Sequence, residues 1–103
     1  MHKQTKACSI PPAIKKAVWE RDNGRCIVCG SPNAAPCAHF IARSHGGLGV
    51  EENIVTLCRD CHRAYDQSPA HEWYKTVIRR YLKSKYPGWD ERQLVYRKYG
   101  GKL

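Results

Sequence analysis

The 103-residue chain has no apolar run near the roughly 18 residues that a membrane-spanning helix needs, which excludes an integral helical membrane protein. No apolar stretch of leader length accompanies the basic residues between Met1 and Pro12, so the expected compartment is the cytoplasm. Internal repeats and low-complexity tracts are also missing, which removes repeat architectures. Acidic residues are scarce. Nine Asp plus Glu stand against 18 Lys plus Arg, a net charge of +9, and that excess favours a polyanionic partner such as nucleic acid, with an anionic membrane surface as the competitor. A chain of this length forms one small domain with a thin stability margin, for which a covalent or metal staple is a common remedy. Six cysteines are present, and in a reducing compartment paired cysteines are more often metal ligands than disulfides.

Along the chain, Pro11 and Pro12 open a helical pattern that puts Ile14, Ala17 and Val18 on one face, and Asn23-Gly24 ends it with residues that tolerate positive φ. Residues 30–38 read as loop, Cys37–Ile41 as a short strand, and Asn53–Leu57 as a second strand. Between the strands, Ser44–Gly49 carries three glycines and suits a turn drawn close to other backbone. A helix is expected from Arg59 to about Gln67, ended by Ser68-Pro69. A longer one follows over Ala70–Lys85 with an apolar stripe of Ala70, Trp73, Tyr74, Val77, Ile78, Tyr81 and Leu82. Asp90 is placed to cap a last short helix reaching about Tyr99.

Cys26-x-x-Cys29 and Cys58-x-x-Cys61 are two knuckles separated by the 28 residues 30–57. Four thiolates around one tetrahedral zinc leave no open position for chemistry, so the site is structural. A redox reading of Cys26 and Cys29 would need a thioredoxin-like βαβ setting, which the sequence lacks. Cys58-Arg59-Asp60-Cys61-His62 also fits the attachment signature of c-type haem. That reading calls for export and leaves Cys26 and Cys29 unexplained. Cys8 and Cys37 lie outside both knuckles and read as free or packed thiols.

Once the zinc ligands are set aside, His39, Asn53, His62 and Asp66 remain as a polar set. His62 and Asp66 are four apart on one helical face, an arrangement that can share a divalent cation or simply face solvent. His39 lies on the first strand, between the knuckles, and an imidazole is a suitable base near neutral pH.

Ala38-His39-Phe40-Ile41-Ala42-Arg43-Ser44-His45-Gly46-Gly47 and Asn53-Ile54-Val55-Thr56-Leu57-Cys58-Arg59-Asp60-Cys61-His62 together resemble the HNH, or ββα-metal, endonuclease family, of the small zinc-knuckle type found among phage and mobile-element genes. With the first knuckle the resemblance covers about residues 10–67. It implies an α+β fold with flanking helices: an arm over 1–9, the ββα-metal domain over 10–67, and a basic helical extension over 68–103. It further implies that His39 activates water for attack on a DNA phosphodiester, and that Asn53 holds the loop and the histidine strand in register. His62 and Asp66 would hold a catalytic divalent cation (Mg²⁺, Mn²⁺, Ni²⁺ or Zn²⁺) that stabilises the transition state. Many members carry Asp or His before the general base, where this chain has Ala38. The alternative is therefore a non-catalytic zinc module that binds nucleic acid or protein.

Residues 71–103 hold nine basic residues and three acids, a net of +6. Lys75, Arg79 and Lys83 recur every four residues on one helix face and are expected to follow DNA phosphates, while Arg43 and Arg63 are placed to grip the scissile one. No separate recognition module is present, so specificity would be weak or supplied by partner proteins that direct cleavage.

Overall fold

The computed structural model describes residues 3–97. Six principal elements follow one another: α1 (Lys3–Cys8), α2 (Pro12–Arg21), β1 (Ala34–His39), β2 (Ile54–Cys58), α3 (Arg59–Gln67) and α4 (His71–Lys85). Short 3-10 turns lie at Arg43–His45, Glu51–Asn53 and Glu91–Gln93. The mixed helices, the two-stranded antiparallel sheet and the cysteine cluster form a ββα-metal zinc fold. No helix among the described residues is long and apolar enough to cross a membrane.

α2 starts with Pro12 in its first turn and stops where Asn23 and Gly24 adopt φ of 57° and 64°, as the sequence predicts. β1 begins at Ala34, earlier than the expected strand, because Ala34 and Ala35 pair with Cys58 and Leu57. The register slips before Ala38 meets Val55, across the stretch that contains Pro36, which has no N–H to give to a ladder. That bulge turns the strand so that Ala38 is buried while Cys37 and His39 line the cleft described below. β2 is buried along its whole length, and Val55 and Leu57 meet Phe40, Tyr65, Ile78, Leu82 and Leu94 in one core.

Three expectations are corrected. The 1–9 arm contains a helix, α1. Trp73 and Ala70 do not join the buried stripe of α4: Trp73 is 57% exposed, its ring edge-on to Tyr74 at 4.9 Å, and Ala70 is exposed just before the helix begins. The last helix is replaced within the described residues by the Glu91–Gln93 turn, capped as expected by Asp90 through Arg92 N–H. Beyond it the glycine loop takes the backbone for itself: Leu48 N–H donates to Leu94 O (2.8 Å), Tyr96 N–H donates to Gly46 O (2.7 Å), and Gly47 pairs with Val95. Positions 98 and 99 of the expected helix lie outside the described residues.

The elements are tied together by Arg21 and Asp22. Arg21 donates to Asp22, to Glu51 O (2.8 Å), to Ile54 O (2.7 Å) and to Tyr86 Oη (3.0 Å), with Tyr81 and Tyr86 rings 5.6 and 5.8 Å from its guanidinium. Asp22 accepts from Thr56 N–H (2.9 Å) and Tyr81 O–H (2.5 Å). Burial works against both charges, but the mutual pair and the tyrosine bonds outweigh it, so Asp22 is held below the usual carboxylate range and Arg21 stays protonated. One partner removed leaves the other charge buried and unpaired. Arg21→Ala is therefore expected to lower stability by about 3–5 kcal/mol in denaturant titration, and a loss under about 1 kcal/mol would contradict the pairing. Because Asp22 has its pKa depressed on folding, its contribution is present above the unfolded carboxylate value and is lost as pH falls through the folded one.

Candidate functional site

The fold brings the two knuckles together. All four sulfurs of Cys26, Cys29, Cys58 and Cys61 lie within 4.8 Å of one another, with Cys29 Sγ 3.6 Å from Cys58 Sγ. Zn–S bonds of about 2.3 Å in a tetrahedron put sulfurs about 3.8 Å apart, so the cluster fits a structural zinc ion. The chemistry of the donors agrees. Burial pushes the Cys61 thiol up and the neighbouring Cys58 and Cys26 sulfurs push it further, so four thiolates gathered this closely need a cation to coexist. Cys58 also caps α3, its sulfur accepting from Cys61 N–H (3.4 Å), which fixes the first turn of the helix that carries His62 and Asp66.

Toward the His39 end of β1, away from the Ala34–Cys58 pairing, a cleft of about 530 Å³ opens between the strand, the Arg43–His45 turn, α3 and the start of α4. His39, Arg43, His62, Asp66 and Lys75, expected from sequence, all line it. His39 Nε2 lies 2.9 Å from Cys8 O. A carbonyl only accepts, so Nε2 carries the hydrogen and Nδ1 keeps its lone pair. Burial holds the His39 imidazole below its ordinary value; the bond to Cys8 acts against this, and the Arg43 and His62 charges add to the lowering. The ring is thus neutral, and a base, at physiological pH.

His62 Nε2 and Asp66 Oδ2 are 3.5 Å apart, one turn from each other on α3. Two donors each about 2.1 Å from one ion are separated by about 3.0 Å at a right angle and about 3.4 Å at the tetrahedral angle, so this pair fits a shared divalent cation. Ala38 is buried and offers no ligand.

Asn53 is fully buried, and its side chain joins the strand end to the loop: Oδ1 accepts from Ile41 N–H (2.8 Å), and Nδ2 donates to Leu48 O (2.8 Å) and Ile41 O (3.3 Å). Its own carbonyl accepts from Phe40 N–H (2.7 Å). Gly47 and Gly49 are required here, since a Cβ would sit 1.7 Å from Ile41 O and 1.9 Å from Ser9 O. Asn53→Ala takes the partner from the Ile41 N–H and from two carbonyls, Leu48 O and Ile41 O. It is expected to cost roughly 2–5 kcal/mol, checked by thermal or denaturant unfolding, whereas a near-neutral result would show the loop is held by other means.

Not every expected residue reaches the cleft. Arg63 is exposed on α3 and does not line it. Arg79 is occupied by Glu91 (3.0 Å) with its guanidinium 5.6 Å from the Phe40 ring, so the evenly spaced basic face is interrupted at its centre. Lys83 is exposed further along α4, beside the Gly88–Glu91 segment. Conversely, His45, Cys37 and His71 line the cleft without a strong sequence signal. His71 is fixed by stacking on Tyr65 (4.8 Å, 4°) and by Nδ1 donating to Tyr65 O (2.5 Å). The Ser68-Pro69 stop announces the turn between α3 and α4, but not that it brings the His71 ring onto Tyr65.

Two comparisons with known proteins bear on the family of the chain. A family model described as HNH endonuclease matches residues 26–68, the span from the first knuckle through α3. The chain is also similar to Anaredoxin from Nostoc sp. (strain PCC 7120 / SAG 25.82 / UTEX 2576), 36% identical over 52 residues that make up 50% of this chain and 68% of the relative.

Proposed function

The chain belongs to the HNH endonuclease family, and from that premise we propose that it hydrolyses DNA phosphodiester bonds in the cleft between β1 and α3. The observation that supports this best is the pairing of a neutral His39 with a free Nδ1 and the His62–Asp66 donor pair across one cleft. His39 takes the proton from an attacking water. Asn53 keeps the His39 strand and the loop aligned, so the imidazole needs no reorganisation as the bond forms. His62 and Asp66 would hold a divalent cation, which when bound would supply Lewis-acid stabilisation of the charge developing on the phosphate and the leaving oxygen. Arg43 and Lys75, which both line the cleft, bind the phosphates of the strand on either side of the break. Arg63 and Lys83 add weaker, exposed backbone contacts, and the partner is DNA, with other proteins directing cleavage where specificity is needed.

Nicking of a supercoiled plasmid tests the proposal. The zinc-loaded protein is expected to nick with at least one of Mg²⁺, Mn²⁺, Ni²⁺ or Zn²⁺, and His62→Ala should lose the metal-dependent rate. No nicking with any of the four ions would overturn it. Ala38 specifically favours a second reading, a zinc module that binds DNA without cutting it, because the strand offers no ligand there. That reading predicts salt-sensitive DNA binding with no ion-dependent nicking.

A further inference from the structure

A base that hands protons to and from water needs one tautomer held in one orientation. The hydrogen bond that does this for His39 comes from outside the residues matched by the family model, from the last residue of α1. Among the described residues it is the only hydrogen bond the imidazole makes. Three consecutive residues at the end of α1 are engaged at this point. Ala7 O accepts from Gly49 N–H (3.0 Å), Cys8 O accepts from His39 (2.9 Å), and Ser9 O sits where a Cβ on Gly49 would come within 1.9 Å. Ser9 closes the last turn of α1 through Thr5 O, by its N–H at 3.1 Å and its hydroxyl at 2.8 Å, and Arg43 reaches the same hydroxyl at 3.5 Å. Cys8 itself is only 3% exposed. The end of α1 is thus wedged between the histidine strand and the glycine loop, with one carbonyl aimed at the ring.

We propose that α1 is a positioning element for the catalytic site: the Cys8 carbonyl keeps the hydrogen of His39 on Nε2 and presents Nδ1 to water, and Gly49 leaves the space that lets α1 sit there. The proposal rests on the reading of His39 as general base. It explains why the loop carries glycine at position 49 although that residue touches nothing in the cleft. A side chain there would push Ser9, and with it the Cys8 carbonyl, away from the ring. The Gly49→Ala protein would keep its knuckles, its His62–Asp66 pair and its basic residues, yet lose the fixed tautomer.

The test uses the zinc-loaded full chain, Gly49→Ala, and a truncation lacking residues 2–8. Long-range ¹H–¹⁵N NMR reads the His39 tautomer directly, and plasmid nicking under saturating and subsaturating DNA separates kcat from KM. The parent is expected to show the Nε2–H form alone. Both variants should show a mixture of tautomers and a kcat lower by roughly 10- to 100-fold, with KM within about twofold and one zinc retained. A parent in the Nδ1–H form would overturn the proposal, as would variants that keep the Nε2–H form and the parental kcat. If both variants lose their zinc and fold, the parental spectrum still decides between the two forms. The base reading fails separately, through a His39→Ala protein that nicks as fast as the parent, and the tautomer result is independent of that outcome.

Discussion

Stripping the metal from the four-cysteine cluster is expected to unfold the domain outright. A structural zinc in such a site contributes on the order of 10–16 kcal/mol of binding free energy, and the whole stability of a small domain is about 5–15 kcal/mol. The dependence is steep here because the knuckles carry more than themselves. Cys58 ends β2 and caps α3, Cys61 lies in the first turn of α3, and Cys26 and Cys58 are core residues packed with Phe40 and Leu57. A strong chelator should abolish the cooperative thermal transition, Cys58→Ser should behave like the chelated parent, and elemental analysis should find one zinc per chain before treatment. A chelated protein that keeps its transition would mean that the apolar core suffices and that the cluster is not the staple.

The second large effect falls on His39. His39→Ala removes a proton acceptor worth typically 10²- to 10⁴-fold in rate while deleting only one hydrogen bond on a half-buried ring, so nicking should fall by that factor with zinc content and DNA affinity nearly intact. The pH profile carries a further signature. Burial, aided by Arg43 and His62 and opposed by the Cys8 bond, depresses the imidazole value, so the base form persists to lower pH than in a free histidine. Activity is present above the folded value and lost as pH falls through it. The acid limb of the rate should therefore lie below the ordinary imidazole value of about 6.5, and a limb above that value would mean the ring is more exposed or better paired with a negative charge than its surroundings indicate.

The parts that were legible in the sequence are those whose spacing is itself the physics. Each C-x-x-C pair presents two sulfurs from one short turn, so that four can gather close enough to share one ion, and a histidine and an aspartate four apart share a helix face by geometry alone. β2, α3 and most of α4 were equally readable, because their apolar runs and their Ser68-Pro69 stop act locally. What escaped depends on residues far apart in the chain. Arg21 and Asp22 look like an ordinary charged helix end, and only the fold shows that Glu51, Ile54, Thr56, Tyr81 and Tyr86 converge on them. The terminal helix was misjudged because Asp90 does start a turn, but the glycine loop then captures the backbone of Leu94 and Tyr96. Lys75, Arg79 and Lys83 share a helical spacing, yet Glu91 arrives from beyond α4 and withdraws Arg79 from the face. The arm before Pro11 has too little pattern to reveal a helix, and nothing in it signals that its last carbonyl reaches position 39.

The central claim is that His39, facing the His62–Asp66 pair within a zinc-stapled fold, is the base of a phosphodiester hydrolase. Single-turnover nicking of a supercoiled plasmid by the zinc-loaded parent and His39→Ala, at equal zinc content and with the same divalent ion, tests it most directly. The account predicts ion-dependent nicking by the parent and a rate at least 10²-fold lower for the variant. Equal rates, or an inert parent with every ion, would contradict it.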